Sequence, residues 1–337
     1  MERSEWLAQT VEEIIEPDLP ICDPHHHLWD FPTYRYLLDQ LLADTGSGHN
    51  VVSTVFVECS AFYREHGPDA LAPVGETEFV NGQAAMAASG IYGDTQACAG
   101  IVGYADLSLG AAVDDVLKAH IVAGGGEAGR FRGIRHAAGW HSSDAIKNSH
   151  TNPPEHLFMD VTFRAGFARL APNNLSFEGW NYFYQIPELT DLAWAFPETT
   201  IVFDHFGGPL GIGPYEGKQS EVFAEWKLNV AELAKCQNVV AKLGGLGMAI
   251  CGFKFHKRET PPGSEELAEI WRPYVDFAID QFGPERCMFE SNFPVDKVSC
   301  SYPVLWNAFK RLAKGCSVDE KAALFRDTAH RAYRLGE

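Results

Sequence analysis

Apolar residues recur along the chain in two alternating rhythms: short, nearly unbroken runs, and longer stretches with a helical repeat. The short runs cover residues 21–27, 51–59, 98–104, 131–137, 175–177, 200–205, 239–243 and 287–292. Runs of Val, Ile, Leu, Phe and Cys at that length predict parallel strands buried on both faces. The helical repeat predicts helices over 76–89, 111–123, 154–169, 186–196, 221–236, 264–282 and 304–314, with a last one over 318–335. Eight strands alternating with helices predict an α/β fold, a (β/α)8 TIM barrel. The barrel occupies residues 20–337 as one domain, after a short N-terminal arm over 1–19. A doubly wound open sheet is the alternative, but no glycine-rich phosphate loop follows the first strand. The Gly-Gly-Gly at 124–126 comes after a helix and reads as a helix stop and loop.

Longer irregular segments follow the second, fourth, sixth and seventh strands, over 60–73, 138–153, 207–219 and 248–263. In a barrel these all fall on the C-terminal rim, where active sites are built. Composition narrows the partners. The chain carries 27 Lys and Arg against 45 Asp and Glu, a net charge of −18. Such a surface repels nucleic acid and anionic membranes, and no basic run offsets it. No apolar run is long enough to span a membrane, and the first residues lack a signal-peptide pattern. Eight scattered cysteines with no C-x-x-C pair suggest a reduced, cytoplasmic protein, with a cysteine nucleophile only weakly supported. The expected partner is a small-molecule substrate, with a homo-oligomer left open.

The candidate chemistry sits at the strand ends. Side chains alternate along a strand, so Asp23, His25 and His27 are expected on one face and His26 on the other. Two imidazoles at that spacing can hold a metal ion or an anionic substrate group. Glu58 ends the second strand in Val-Phe-Val-Glu-Cys, unusual company for a carboxylate. Arg135 and His136 end the fourth and face opposite ways, with Gly133 leaving room beside the arginine. A guanidinium there can fork onto a carboxylate, of the substrate or of the protein. His205 shares a face with Ile201 and Phe203 and is expected to join the first histidine pair, with Asp204 on the opposite face. Lys242 ends the seventh strand and can bind an anion or, if desolvated, act as a base. Glu290 and Asn292 are expected inward on the eighth. Trp180, Tyr182 and Tyr184 can line a pocket or simply pack.

These strand ends resemble the amidohydrolase superfamily, within it the amidohydrolase 2 group related to 2-pyrone-4,6-dicarboxylate lactonase and sugar lactonases. Asp23-Pro24-His25-His26-His27 matches the group's D-x-H-x-H, Gly133-Ile134-Arg135-His136 its G-x-R, and Asp204-His205-Phe206-Gly207 its D-H-x-G. The resemblance runs from about residue 18 to 335. It implies hydrolysis at a carbonyl, of a small carboxylated or polyhydroxylated lactone. By that resemblance His25, His27 and His205 hold one divalent metal ion, zinc or manganese, or polarise the carbonyl directly in a metal-free mechanism. Arg135 binds a substrate carboxylate, and His136, Glu58 and Lys242 stand nearby as substrate-binding candidates.

Glu290-Ser291-Asn292-Phe293-Pro294 departs from the G-S-D-W-P of relatives. The residue that activates water is an aspartate there and Asn292 here, and an amide is no general base. Glu290, about 6–7 Å deeper along a strand, is the expected replacement as base or ligand. Glu58 or His136 are alternatives. A non-oxidative decarboxylase or hydratase, and a barrel that binds a ligand without turning it over, are the competing functions.

Overall fold

Eight short apolar runs pair in parallel, each with the next along the chain. They are β1 (Ile21–His26), β2 (Val51–Val57), β3 (Gln96–Gly103), β4 (Phe131–Arg135), β5 (Ser176–Gly179), β6 (Ile201–Phe203), β7 (Val239–Leu243) and β8 (Cys287–Phe289). The computed structural model describes residues 3–336. The sheet curls back on itself: His26 bridges in parallel to Phe293 beyond β8, and the His27 N–H donates to the Phe293 carbonyl at 2.8 Å. With helices between successive strands, this is the (β/α)8 barrel that the alternation predicts.

The two faces of each strand build two separate cores. Ile21, Phe56, Ile134, Phe177, Ile201 and Phe203 face outward and pack against helix residues such as Leu117, Phe163, Leu189 and Trp226. Cys22, Val55, Val57, Val102, Val202, Val240 and Met288 fill the lower barrel, which Ala329, Ala332 and Tyr333 plug from below. Each large apolar side chain buried this way contributes about 1.5–3 kcal/mol. Above that dry layer the interior turns polar, which sets the position of the site.

Several strands end earlier than the apolar pattern predicts. β6 stops at Phe203 and β8 at Phe289, because the following residues leave the extended region: His205 and Phe206 have φ of 51° and 55°, and Asn292 52°. The fifth strand runs over Ser176–Gly179 rather than 175–177. The helix expected over 154–169 is a short Val161–Phe167, started by Asp160, whose carboxylate accepts the Thr162 and Phe163 N–H groups. The last helix is broken by a π-type turn over Ala323–Asp327. A small ribbon pairing Trp29–Phe31 with Tyr34–Tyr36, and a helix over Leu38–Thr45, have no counterpart in the sequence prediction. Trp6, Thr10 and Ile15 tie the N-terminal arm to the barrel's later elements, at Arg258, Pro261 and Asn307. Glu12 accepts the Ser264 N–H at 2.7 Å and so caps the helix Ser264–Phe282, and Ile15 donates to Asn307.

Candidate active site

Parity decides which strand-end side chains enter the barrel. In β6, Val202 belongs to the inner core while Ile201 and Phe203 belong to the outer one. Asp204 therefore points inward, the reverse of the expected alternation. His205 still reaches the interior because its left-handed backbone turns it there. In β1 a register irregularity between Asp23 and His26 also breaks the alternation. Asp23 consequently faces away from His25 and ties β1 to β8, accepting the Ser291 N–H at 2.9 Å and the Tyr302 hydroxyl at 3.0 Å. His26 points outward to Thr54 at 2.8 Å, as expected.

At the floor of the polar layer lies Lys242. Its Nζ is 2.6 Å from Glu178, 3.0 Å from His25 Nδ1, 3.3 Å from Asp204 and 4.0 Å from Glu290, and all these side chains are fully buried. Burial alone would lower its pKa, but Asp204, Glu178 and Glu290 raise it, so Lys242 remains an ammonium ion. Its charge is already matched inside the protein. Burial and the neighbouring Asp204 hold the Glu178 carboxyl well above its usual range. Burial would raise Asp204 too, yet Lys242 and the hydrogen bond from Glu178 keep it at about 2. The proton shared by this pair therefore sits on Glu178. Tyr333 donates its hydroxyl to the same carboxyl from below.

Directly above, Glu290 lies between two imidazoles. Its Oε1 is 2.6 Å from His205 Nδ1, and its Oε2 is 3.0 Å from His25 Nδ1. Two glycines make this approach possible. A Cβ on Gly244 would stand 2.4 Å from Glu290 Cγ, and one on Gly245, where φ is +78°, 2.6 Å from His205 Cβ. Gly245→Ala is expected to destabilise the fold by about 2–4 kcal/mol through backbone strain plus overpacking. Urea denaturation checks this, and an unchanged midpoint would show that the turn yields freely.

His25, His205 and Glu290 offer ligand atoms that all lie within 4.8 Å of one another. Burial, then Lys242, hold His25 far below the usual histidine range, in the neutral form that ligates. Glu290 Oε2 has no hydrogen-bond donor. Two imidazoles and a carboxylate with an uncommitted oxygen fit a divalent cation such as zinc. The other grouping, His25 with Glu178 and Asp204, already surrounds the Lys242 ammonium. The His27 ring stands beside this trio, its centroid 4.9 Å from that of His25. His27 donates Nδ1–H to the Val57 carbonyl at 2.8 Å, which leaves Nε2 with a lone pair.

Arg135 is not a free fork. Its Nε donates to Glu58 at 2.7 Å and its Nη2 to the Glu58 carbonyl at 2.5 Å, so only Nη1, 3.4 Å from His25 Nε2, is turned to the cluster. Gly133 makes room for Ser176 rather than for the arginine, since a Cβ there would meet Ser176 Oγ at 2.3 Å. Burial would raise the Glu58 carboxyl, but Arg135 and His150 hold it at about 2. His150, from the loop after β4, reaches Glu58 at 3.0 Å; sequence reasoning passed over it. His136 stands apart, its Nδ1 accepting the Leu107 N–H at 3.3 Å and its ring against Tyr104 and Phe163. Asn292 donates to the buried Asp296 at 3.0 Å. Glu178 and Asp204 were the larger omissions: one fell beyond the predicted fifth strand, the other on the wrong face.

Aromatic rings border the cluster. Trp29 stacks on His27 with centroids 5.6 Å apart, and Trp180 meets His205 edge-on at 5.0 Å. Tyr182 and Tyr184 donate to the Lys147 and Trp140 carbonyls and so pin the 138–153 loop.

A charged cluster at the C-terminal mouth of a (β/α)8 barrel, with imidazoles and a carboxylate converging, defines a hydrolase-type site. The amidohydrolase family profile matches residues 22–335, and the chain belongs to that family. It is an amidohydrolase-related hydrolase. The protein y4mH of Sinorhizobium fredii is 34% identical over 94% of this chain and 99% of its own. The L-fucono-1,5-lactonase of Burkholderia multivorans is 26% identical over 94% of this chain and 96% of its own. Among solved structures, a Burkholderia multivorans amidohydrolase with bound zinc superposes with a TM-score of 0.70 at 23% identity, covering 94% and 99% of the two chains. Among the described residues no helix is long and apolar enough to cross a membrane, and all eight cysteines are free.

Proposed function

We propose that the protein opens a small polyhydroxylated lactone by attack of water on the ring carbonyl. The observation that carries this reading is Glu290 between His25 and His205, one oxygen receiving the His205 Nδ1–H and the other without a donor. The 26%-identical fuconolactonase supports the substrate class. In the metal-free site Glu290 Oε2 takes the proton of the attacking water and returns it to the ring oxygen as the ester C–O bond breaks. The Nδ1 bond to Glu290 fixes the orientation of the His205 ring. Arg135 Nη1, the one arm not spent on Glu58, faces the negative charge that develops on the carbonyl oxygen. His27 Nε2, kept neutral by burial and by Arg135, accepts a ring hydroxyl. A divalent ion, zinc or manganese, would be held by His25, His205 and Glu290 and would supply Lewis-acid polarisation, Glu290 Oε2 then serving as ligand in place of base.

A neutral substrate follows from the charges. The two cations of the site, Arg135 and Lys242, are both matched by carboxylates of the protein. A carboxylated lactone would therefore meet no uncommitted cation there. Ring opening of sugar lactones and of carboxylated lactones, followed by acid release at constant pH, tests this, with metal content measured on the same preparation. Faster turnover of the sugar lactones is expected. Preference for carboxylated lactones, release of carbon dioxide from aromatic acids, or binding without turnover would each sink the reading.

A further inference from the structure

At the opposite end of the barrel from the histidines is a cavity of about 530 Å³, walled in part by Lys118, Arg132, Asn173, Asn174 and Arg334. Arg132 stands one residue into β4, and Arg334 just past the terminal helix Thr328–Tyr333. Their bonds go only to backbone. Arg132 Nη1 donates to the Phe131 carbonyl at 3.2 Å, and Arg334 donates to the Arg132 carbonyl at 2.8 Å and the Ala332 carbonyl at 3.3 Å. Arg132 Nε is buried with no acceptor. Neither guanidinium forms an ion pair among the described residues. Burial and a like-charged neighbour (Arg130 for Arg132, Arg132 for Arg334) both work against their charge. A guanidinium cannot shed its proton to escape this. In a chain of net charge −18, two adjacent arginines without a carboxylate partner leave a positive cavity on an otherwise acidic protein. The carboxylate in the wall, Glu127, is exposed.

We propose that this cavity binds a small organic oxyanion, bearing phosphate or several carboxylates, between Arg132 and Arg334. Paired guanidiniums suit both chemistries, because each can place two N–H groups on one oxyanion. The volume is that of a metabolite pocket. The occupant would also steady the end of the terminal helix, since Tyr333, next to Arg334, donates to Glu178 beneath the catalytic cluster.

Calorimetric titration of the whole protein with inorganic phosphate and with citrate, at constant ionic strength in sodium chloride, tests the site and separates the two chemistries. Saturable binding of at least one, with a rise in Tm, is expected in the wild type. Arg132→Gln with Arg334→Gln should weaken it at least tenfold, and the corresponding Lys pair should fall between. Arg334→Gln alone, which loses only the bonds to the Arg132 and Ala332 carbonyls, serves if the double variant does not fold. No saturable heat with either anion, or equal affinity in the Gln variants, would overturn the site.

Discussion

Glu290→Gln is expected to lower kcat on whatever lactone the wild type opens by about 10²–10⁴-fold, the range for loss of a positioned general base. The substitution is nearly isosteric, and the amide oxygen can still accept the His205 Nδ1–H now bound at 2.6 Å. The fold should therefore persist while the basic oxygen is lost. The charge on the third member of the His25–His205–Glu290 trio goes with it, so metal content should fall as well. Steady-state kinetics, circular dichroism and metal analysis on one preparation separate these effects. A folded Gln variant with full turnover and undiminished metal would remove Glu290 from the mechanism. The role would then pass to His205 or to Glu58.

The largest effect on stability is expected from Lys242→Met. The ammonium group lies 2.6 Å from Glu178 and 3.3 Å from Asp204 in a fully buried setting. Removing one partner of a buried ion cluster leaves uncompensated charge and costs about 3–5 kcal/mol. The pH dependence follows from the signs. Lys242 is raised above its ordinary value in the folded protein, so its contribution is fully present at pH 7 and is lost only as the solution becomes strongly alkaline. Asp204 is depressed to about 2, so in the wild type its contribution is present above the usual carboxylate range and is lost as pH falls toward 2. Without Lys242, burial dominates and Asp204 shifts upward, so the folded variant binds more protons than the unfolded chain. Lowering pH from 8 to 5 should then stabilise the Met variant relative to wild type. Chemical denaturation at pH 5, 6.5 and 8 measures the difference. A deficit independent of pH would mean that packing, not charge, is what Lys242 supplies.

Much of this arrangement is legible in local sequence. Near-continuous apolar runs identify all eight barrel strands, and β7 matches its predicted bounds to the residue. His25, Arg135, His205, Lys242 and Glu290 were all singled out at strand ends, because a polar residue closing an apolar run in a barrel has only the mouth to face. Less legible were the partners. Glu178 looked like the start of a loop, and His150 like one polar residue among many in a long one. Their roles depend on which side chains the barrel's closure brings opposite them, a distance that local sequence does not contain.

The sequence by itself determined the barrel, the end of it that carries chemistry, and the histidines and carboxylate found there. Period-2 burial and strand length are local properties, written in consecutive residues. Only the tertiary structure decided which way those residues point and whose charge they meet. A register shift in β1 and a left-handed turn at His205 overrode simple alternation. Closure then set Glu58 against Arg135 and Glu178 and Asp204 against Lys242, engaging the cations that the sequence offered to a substrate. It brought Glu290 to His25 and His205, because contact across a barrel depends on register and closure rather than on spacing along the chain.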